Sequence, residues 1–525
     1  MIQTIRRGWM PVRAATRRPH RRRAAAAAAV ATAFSVALCG TAAADVRPPT
    51  VSSFEAGKRY ETLATGPGAA VWAFEQETAD ERLSIARYAD SGRLSEVAAG
   101  RRLSTVRAGL RPMAGGGMAG VVAMDRRNPW SADYIALART DAMGSSLKLT
   151  SLPEAARGAF GFALEADGTV WFARACKDAI YRRLPSGKLT RFQLRGVGCS
   201  ESAEGNSGMI VGPDGAAWLV NLAQKRAARV DANGRVREWR VAVPEEMNLW
   251  GRSTQLAADP RGGLAFADAA QPGEPQISGR VTATGKVRLS ETAGTPAFGS
   301  DGTLWETTTR GLRRTAPDGR TTDITVPGAP DVFAVALARD GAPWFLGGTL
   351  WSGPSLPSEY LSLVAGGVPP GTESEVPAAA IAAIPAHSSQ GNGIALGGDG
   401  AIWTSLWNTA GDQGRMVTRI VPSEIAAARK PVGSVRRVLA RTGRTVVLQL
   451  ACDAERGRFC LGKVRLVGAT SPTPYVVEGQ SAAAVRMTLG PRAARTLRRG
   501  RAVRTTAIVR SEGAGETRRA LTLRR

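Results

Sequence analysis

Short apolar runs alternate with turn residues along most of this chain, and one phrase recurs in the alternation. Two turn residues ending in glycine are followed by one or two small or apolar residues and then tryptophan. The phrase reads Asp167-Gly168-Thr169-Val170-Trp171, Asp214-Gly215-Ala216-Ala217-Trp218, Asp301-Gly302-Thr303-Leu304-Trp305, Asp340-Gly341-Ala342-Pro343-Trp344 and Asp399-Gly400-Ala401-Ile402-Trp403. Pro67-Gly68-Ala69-Ala70-Val71-Trp72 is a looser copy, and Arg261-Gly262-Gly263-Leu264-Ala265-Phe266 a degenerate one. A period of about 40–50 residues is the signature of a repeat architecture. Asp-Gly between apolar runs predicts a hairpin turn, because glycine accepts positive φ and aspartate tolerates it. The runs that follow are β-branched or aromatic, as strands are.

A second turn comes some way behind each phrase: Pro185-Ser186-Gly187-Lys188, Ala232-Asn233-Gly234-Arg235, Ala283-Thr284-Gly285-Lys286 and Pro317-Asp318-Gly319-Arg320. Each lies between two further strand-like runs, such as Ala179 to Leu184 and Leu189 to Phe192. Four short antiparallel strands per repeat make a propeller blade. The tryptophan positions are Trp72, Trp171, Trp218, Ala265, Trp305, Trp344 and Trp403, and the first gap is about twice the others. Ala119 to Met124 and Tyr134 to Ala138 fill that gap as a blade without its phrase, which makes eight copies, with seven left open. The last copy has Arg415 to Val421 as its third strand, and Thr50 to Phe54 is free to supply the fourth. Such closure removes exposed sheet edges. The expected fold is all-β: a closed β-propeller over residues 45–421, a linker at 422–433, and a small β-sandwich over 434–525. The six tryptophans are expected to pack between blades.

Composition adds a compartment. Residues 1–44 carry eight arginines and no acid, followed by an apolar run from Ala24 to Cys39 and by Ala42-Ala43-Ala44 before Asp45. This is the layout of a signal peptide with a small-residue cleavage site, and it points to a secreted or cell-envelope protein. Beyond it, no apolar stretch reaches the roughly 18 residues of a membrane helix. Export implies an oxidising compartment. Four cysteines then remain and allow three pairings; closeness in sequence favours Cys176 with Cys199 and Cys452 with Cys460. A metal site is the weaker reading, since there is no CxxC spacing and histidine is nearly absent.

The formal net charge of +26 is unevenly placed. Residues 429–525 hold 22 Lys and Arg against 5 Asp and Glu, which leaves the repeats nearly neutral. The runs Val438-Leu439, Val446 to Leu450, Val464 to Val467, Ala484 to Leu489 and Val503 to Val509 read as strands with one wet face. Such a basic domain fits an anionic envelope polymer or surface, while an arginine-rich solvated surface is the commoner case. Nucleic acid is not expected, because the domain has almost no aromatic residues for base stacking.

The repeats also bring a family into view. Gly212 to Trp218 with Asn233-Gly234-Arg235-Val236, and Ala166 to Phe172 with Ser186-Gly187-Lys188-Leu189, resemble the repeats of the virginiamycin B lyase (streptogramin lyase) propellers. The resemblance covers roughly residues 46–421. It implies a seven-bladed, Mg²⁺-dependent lyase that opens a cyclic depsipeptide antibiotic by elimination, with histidines and glutamates around the axis. Behind residue 44 this chain has a single histidine, His387. Where that family has glutamate behind its Trp-Phe pair, this chain has Glu75, displaced behind Trp72-Ala73-Phe74, then Arg174, Asn221, Asp268, Thr307 or Leu346. An elimination needs a base and an acid or metal to stabilise the leaving oxygen. His387, before a predicted innermost strand, is the candidate catalytic residue, although a hydrogen-bonded loop histidine is the commoner role. Asn206 and Asn392 precede or open matching strands and, with Asp268, are the pocket candidates. The expected function is binding of an unknown small molecule or envelope partner, with a lyase or a propeller lactone hydrolase as the alternative.

Overall fold

The computed structural model describes residues 49–524, except for 56–58, 69–70, 77–81, 103–104, 125–133, 160, 175–178, 196–206, 245–252, 270–276, 291–293, 328, 330, 352–358, 370, 385–388, 409–414, 422–431, 443, 455–458 and 512–514. Almost every regular element is a β-strand; the α-helix among the described residues is α1, Pro491–Arg498. Between residues 50 and 421 the strands form eight four-stranded antiparallel sheets. Seven of them are built from four strands consecutive in sequence. In the third these are Gly161–Leu164, Val170–Arg174, Ala179–Arg183 and Leu189–Gln193. The second sheet, which lacks the phrase, pairs Met118–Met124 with Tyr134–Thr140 where the sequence places a blade. The eighth takes its fourth strand from the N-terminal side: Thr50–Glu55 runs antiparallel to Arg415–Val421, from Thr50↔Val421 to Glu55↔Met416.

The recurrent turns form for the expected reason. Asp167 Oδ1 accepts the Thr169 amide at 2.7 Å, and Gly168 takes φ 87°. Asp214, Asp301, Asp340 and Asp399 accept the amide two residues on in the same way. Each phrase joins the first strand of a sheet to the second, so every tryptophan stands at one register on the second strand. Trp72 lies between Ala64 and Arg87, Trp171 between Ala163 and Arg182, Trp218 between Ile210 and Arg229. Trp305 lies between Ala297 and Arg314, Trp403 between Ala395 and Arg419, and Trp344 between Ala336 and Gly367. All six are buried. The apolar clusters join successive sheets: Trp171 packs with Ala217 and Leu219 of the fourth sheet, and Trp403 with Val71 and Tyr88 of the first. The core therefore lies between the sheets, where each indole removes a large apolar area from water.

Residues 433–523 form a three-stranded sheet (Gly433–Thr442, Thr445–Cys452, Ala482–Thr488) and a four-stranded one (Thr473–Glu478, Phe459–Leu466, Val503–Ser511, Gly515–Leu523). Both contribute to one apolar cluster that includes Leu448, Leu450, Val464, Val485 and Val509. The strands Thr473–Glu478 and Gly515–Leu523 and helix α1 go beyond the sequence reading. Proline opens the helix at its first turn, where its missing N–H is tolerated, and Ala493, Ala494 and Leu497 enter the cluster. Cys452 and Cys460 form a disulfide with their Cα atoms 5.6 Å apart. Cys176 and Cys199 lie outside the described residues.

Candidate functional site

At the opening of the strand that precedes each repeat phrase, the innermost if the sheets close into a propeller, three sheets share a backbone irregularity at one position, and Thr105–Pro112 of the second sheet has register shifts of its own. In Arg59–Ala64 the register jumps from Tyr60↔Glu75 to Thr62↔Phe74, leaving Glu61 as an extra residue. Phe333 is extra in Asp331–Leu337, and Asn392 in Ser389–Leu396. Each stands three residues before the one that faces the repeat tryptophan (Ala64, Ala336, Ala395). The strand Ser389–Leu396 contacts both of the others, so the bulges fall on adjacent sheets. Bulges re-aim side chains and are common beside sites. Asn392 thus sits at a bulge in an innermost strand. His387 and Asn206 lie outside the described residues.

The second strands carry a polar position three residues past the tryptophan. Glu75 holds it in the first sheet, opposite Tyr60, so this residue is in register and not displaced as its sequence context implies. Asn221 holds it opposite Ser207, and Asp268 opposite Thr254. All three are buried. Glu75 accepts the Tyr88 hydroxyl at 2.5 Å and Arg93 Nη2 at 3.2 Å. Burial disfavours the Arg93 charge, but Glu75, Tyr88 and Glu96 outweigh it and raise the guanidinium pKa. Asn221 Oδ1 accepts the Gln224 amide at 2.9 Å, a turn-closing role. Glu306, one residue past Trp305, faces Ser278 and Arg280 of the preceding sheet and Arg313 of its own. Burial pushes its pKa up to about 7, against the pull of Arg313, Arg280 and a Ser278 hydrogen bond. Among the described residues, no three His, Cys, Asp or Glu side chains gather as a metal-binding group.

At the opposite end, by the Asp-Gly turns, sequence reasoning missed a constellation. The residue across from the tryptophan on the third strand is arginine in most sheets, and its guanidinium lies over an indole: Arg87 at 5.2 Å from Trp72, Arg182 at 5.3 Å from Trp171, Arg229 at 5.5 Å from Trp218, Arg314 and Arg419 at 6.0 Å from Trp305 and Trp403. Arg229 and Arg419 also reach the turn carboxylates, at 2.7 Å from Asp214 and 2.8 Å from Asp399. Arg280 reaches Asp259 at 2.5 Å. A signal was available: Arg87, Arg139, Arg182, Arg229, Arg280 and Arg314 each precede a turn glycine by five positions.

This same end carries the three-stranded C-terminal sheet. Arg486 Nη2 donates to Glu165 Oε1 at 2.8 Å, with 9% and 5% of the two side chains exposed. Trp171 Nε1 donates to the same oxygen at 2.6 Å. Gln449 Nε2 donates to the Pro213 carbonyl at 2.7 Å and Gln480 Nε2 to that of Arg339 at 3.1 Å. A Cβ on Gly215 would come within 2.7 Å of the Ala484 methyl, so the turn and the sheet are in close contact. Burial raises the Glu165 pKa, with Arg486 opposing and Asp167 adding to the shift. Arg486 has its pKa raised, because Glu165 and Asp167 together overcome the effect of burial.

The repeat register and its turns now have counterparts among known proteins. Over 193 residues the chain is 28% identical to the virginiamycin B lyase of Nocardia farcinica. The chain is similar to a virginiamycin B lyase. The match takes in 36% of this chain and spans 62% of that lyase. Among solved structures, a streptogramin B lyase aligns over 71% of this chain and 98% of its own length, with 14% identity and a TM-score of 0.40. A catalytically inactive virginiamycin B lyase from Staphylococcus aureus with quinupristin aligns over 71% and 99%, with 14% identity and a TM-score of 0.39. No family model matches the chain. The match to the Nocardia lyase spans 193 residues, fewer than the eight four-stranded sheets occupy, and residues 434–525 lie outside the likeness read from the sequence.

Proposed function

We propose that residues 46–421 close into an eight-bladed propeller that is exported and serves as a binding protein rather than a lyase. Its pocket would lie at the bulged ends of the innermost strands, with the buried Asp268 as its candidate polar group among the described side chains. Sharing of apolar clusters between successive sheets, the eighth and first included, supports closure. The observation that carries the binding reading is the commitment of three of the five buried carboxylates among the described residues, Glu75 at the bulged end and Glu165 and Asp259 at the turn end. Glu75 is held by Tyr88 and Arg93, Glu165 by Trp171 and Arg486, and Asp259 by Arg261 and Arg280. A carboxylate so held is a poor general base, since catalysis wants a proton acceptor within reach of substrate and poised near the working pH. The Mg²⁺ implied by the lyase resemblance finds no ligand set among the described residues.

The alternative, a divergent metal-dependent lyase or a propeller lactone hydrolase, draws on Glu306, whose pKa near 7 suits acid–base work. One experiment separates the two. The chain from residue 45 onward is incubated with Mg²⁺ and a streptogramin B antibiotic, ring opening is followed by mass spectrometry, and binding by calorimetry. Intact antibiotic is the expected result. Ring opening that disappears in a folded His387→Ala or Glu306→Gln variant would overturn the binding reading.

A further inference from the structure

The two sheets of residues 433–523 share one core, so their outer faces point in opposite directions. The outer face of the three-stranded sheet carries Gln449, Ala484 and Arg486 and is the one that meets the Asp-Gly turns. The outer face of the four-stranded sheet is therefore turned away from the repeats. Its side chains follow from the register. Lys463 is paired with Arg510, and Arg510 with Glu516. In the next row Arg465 is paired with Ile508, and Ile508 with Arg518. Arg504 belongs to the same face, because it alternates with the buried Ala507 and Val509 as Arg510 does.

This face has two properties that folding alone does not require. Lys463 and Arg510 stand directly opposite each other as like charges, an arrangement that opposes sheet formation. Five cations share the face with two acids, Glu478 at one end, paired with Phe459, and Glu516, which binds both Arg510 and Arg518 at 2.8 and 2.6 Å. The two arginines remain 68% and 69% exposed beyond that contact. Ile508, at the centre, is buried, and Val467, at the end of the row that holds Lys463 and Arg465, is exposed. Phe459, at one end of the face, is the aromatic ring that the register places there, and a single ring is a small platform for stacking bases. Sheet geometry spaces the cations about 5 Å across strands and about 6.7 Å along them. We propose that this face docks an extended acidic polysaccharide, its anionic groups taken by the forks of Arg465, Arg504, Arg510 and Arg518, which match carboxylates and sulfates better than point charges do. This surface is independent of whatever the innermost strands bind.

The test uses the chain from residue 45 onward and immobilised heparin as the polysaccharide probe, with single-stranded DNA and anionic phospholipid vesicles in parallel. One variant combines Arg465→Gln, Arg510→Gln and Arg518→Gln. The control, Arg237→Gln with Arg240→Gln and Arg288→Gln, removes the same charge from the outermost strands of the fourth and fifth sheets. Unfolding midpoints establish that both fold; should the first not, Lys463→Gln with Arg504→Gln replaces it. The expected result is salt-sensitive heparin binding that the face variant weakens about tenfold or more and the control leaves within about twofold. Equal weakening by both variants would reduce the effect to net charge and overturn the proposal. Binding to DNA or vesicles in preference to heparin would overturn it as well.

Discussion

Removing Arg486 tests whether the C-terminal region is fastened to the repeats as described. In an Arg486→Met variant, Glu165 keeps its Trp171 hydrogen bond but loses the guanidinium that donates to it while staying buried. Breaking a buried pair from one side costs about 3–5 kcal/mol, because the remaining charge is uncompensated. The pH dependence gives the sign. Burial already holds the Glu165 pKa above its ordinary value, with Arg486 pulling it down, so the variant's Glu165 is raised further. A raised carboxyl contributes stability that is fully present below its unfolded pKa and is lost as pH climbs through the folded one. Over three pH units a single such group is worth at most about 4 kcal/mol. The penalty should therefore be about 3–5 kcal/mol at pH 8 and smaller at pH 5. Urea unfolding followed by tryptophan fluorescence reports it selectively, because residues 434–525 contain no tryptophan. Adding Glu165→Gln, which keeps an acceptor for Trp171, should restore most of the loss at pH 8. A penalty equal at both pH values to within about 0.5 kcal/mol would refute the reasoning.

Two further outcomes are expected. Native, unreduced protein should show no free thiol at Cys452 or Cys460, and replacing both by alanine should cost about 2–5 kcal/mol in denaturant unfolding. Burial opposes ionisation of Asp259, but hydrogen bonds from Arg261 and Arg280 outweigh it and hold the carboxyl below its usual range. Its contribution is present above the unfolded pKa and fades as pH falls through the folded one, so wild type should lose stability more steeply below about pH 4 than an Arg280→Met variant, in urea midpoints measured from pH 6 to pH 2.

The period, the Asp-Gly turns and the N-terminal strand of the eighth sheet were legible because each depends on local chemistry or on an unfilled hairpin partner. Positive φ at Gly168 and the Asp167 hydrogen bond are encoded within five residues. The arginine opposite five of the six tryptophans was not read, although four of those five precede a turn glycine by five positions. In a chain so rich in arginine its recurrence is easily taken for composition, and its partner across the hairpin appears only once the register is known. The contact of Glu165 with Arg486 joins positions 321 apart, and nothing local foretells it. Helix α1 was hidden by its arginines, which leave only Ala493, Ala494 and Leu497 as an apolar stripe. Of the candidate site residues, Asp268 and Asn392 fall on the second and innermost strands of their sheets, whereas His387 and Asn206 lie outside the described residues.

Arginine thus does two different things in this chain. In the repeats it is tied down: Arg229 lies between the Trp218 ring and Asp214, and Arg419 between the Trp403 ring and Asp399. A guanidinium stacked on an indole and bonded to a carboxylate gains from both, because its flat face is weakly hydrated and its edge carries the donors. The turn carboxylates offset those charges, which explains how repeats containing so many arginines stay close to neutral. On the four-stranded C-terminal sheet the same residue type stands in rows with two acids among five cations, and Lys463 faces Arg510 with no carboxylate between them. Charge neutralised by a turn aspartate stabilises a hairpin; like charges left in rows on an outward face repel each other. The difference lies in placement relative to acids, and net charge alone does not reveal it.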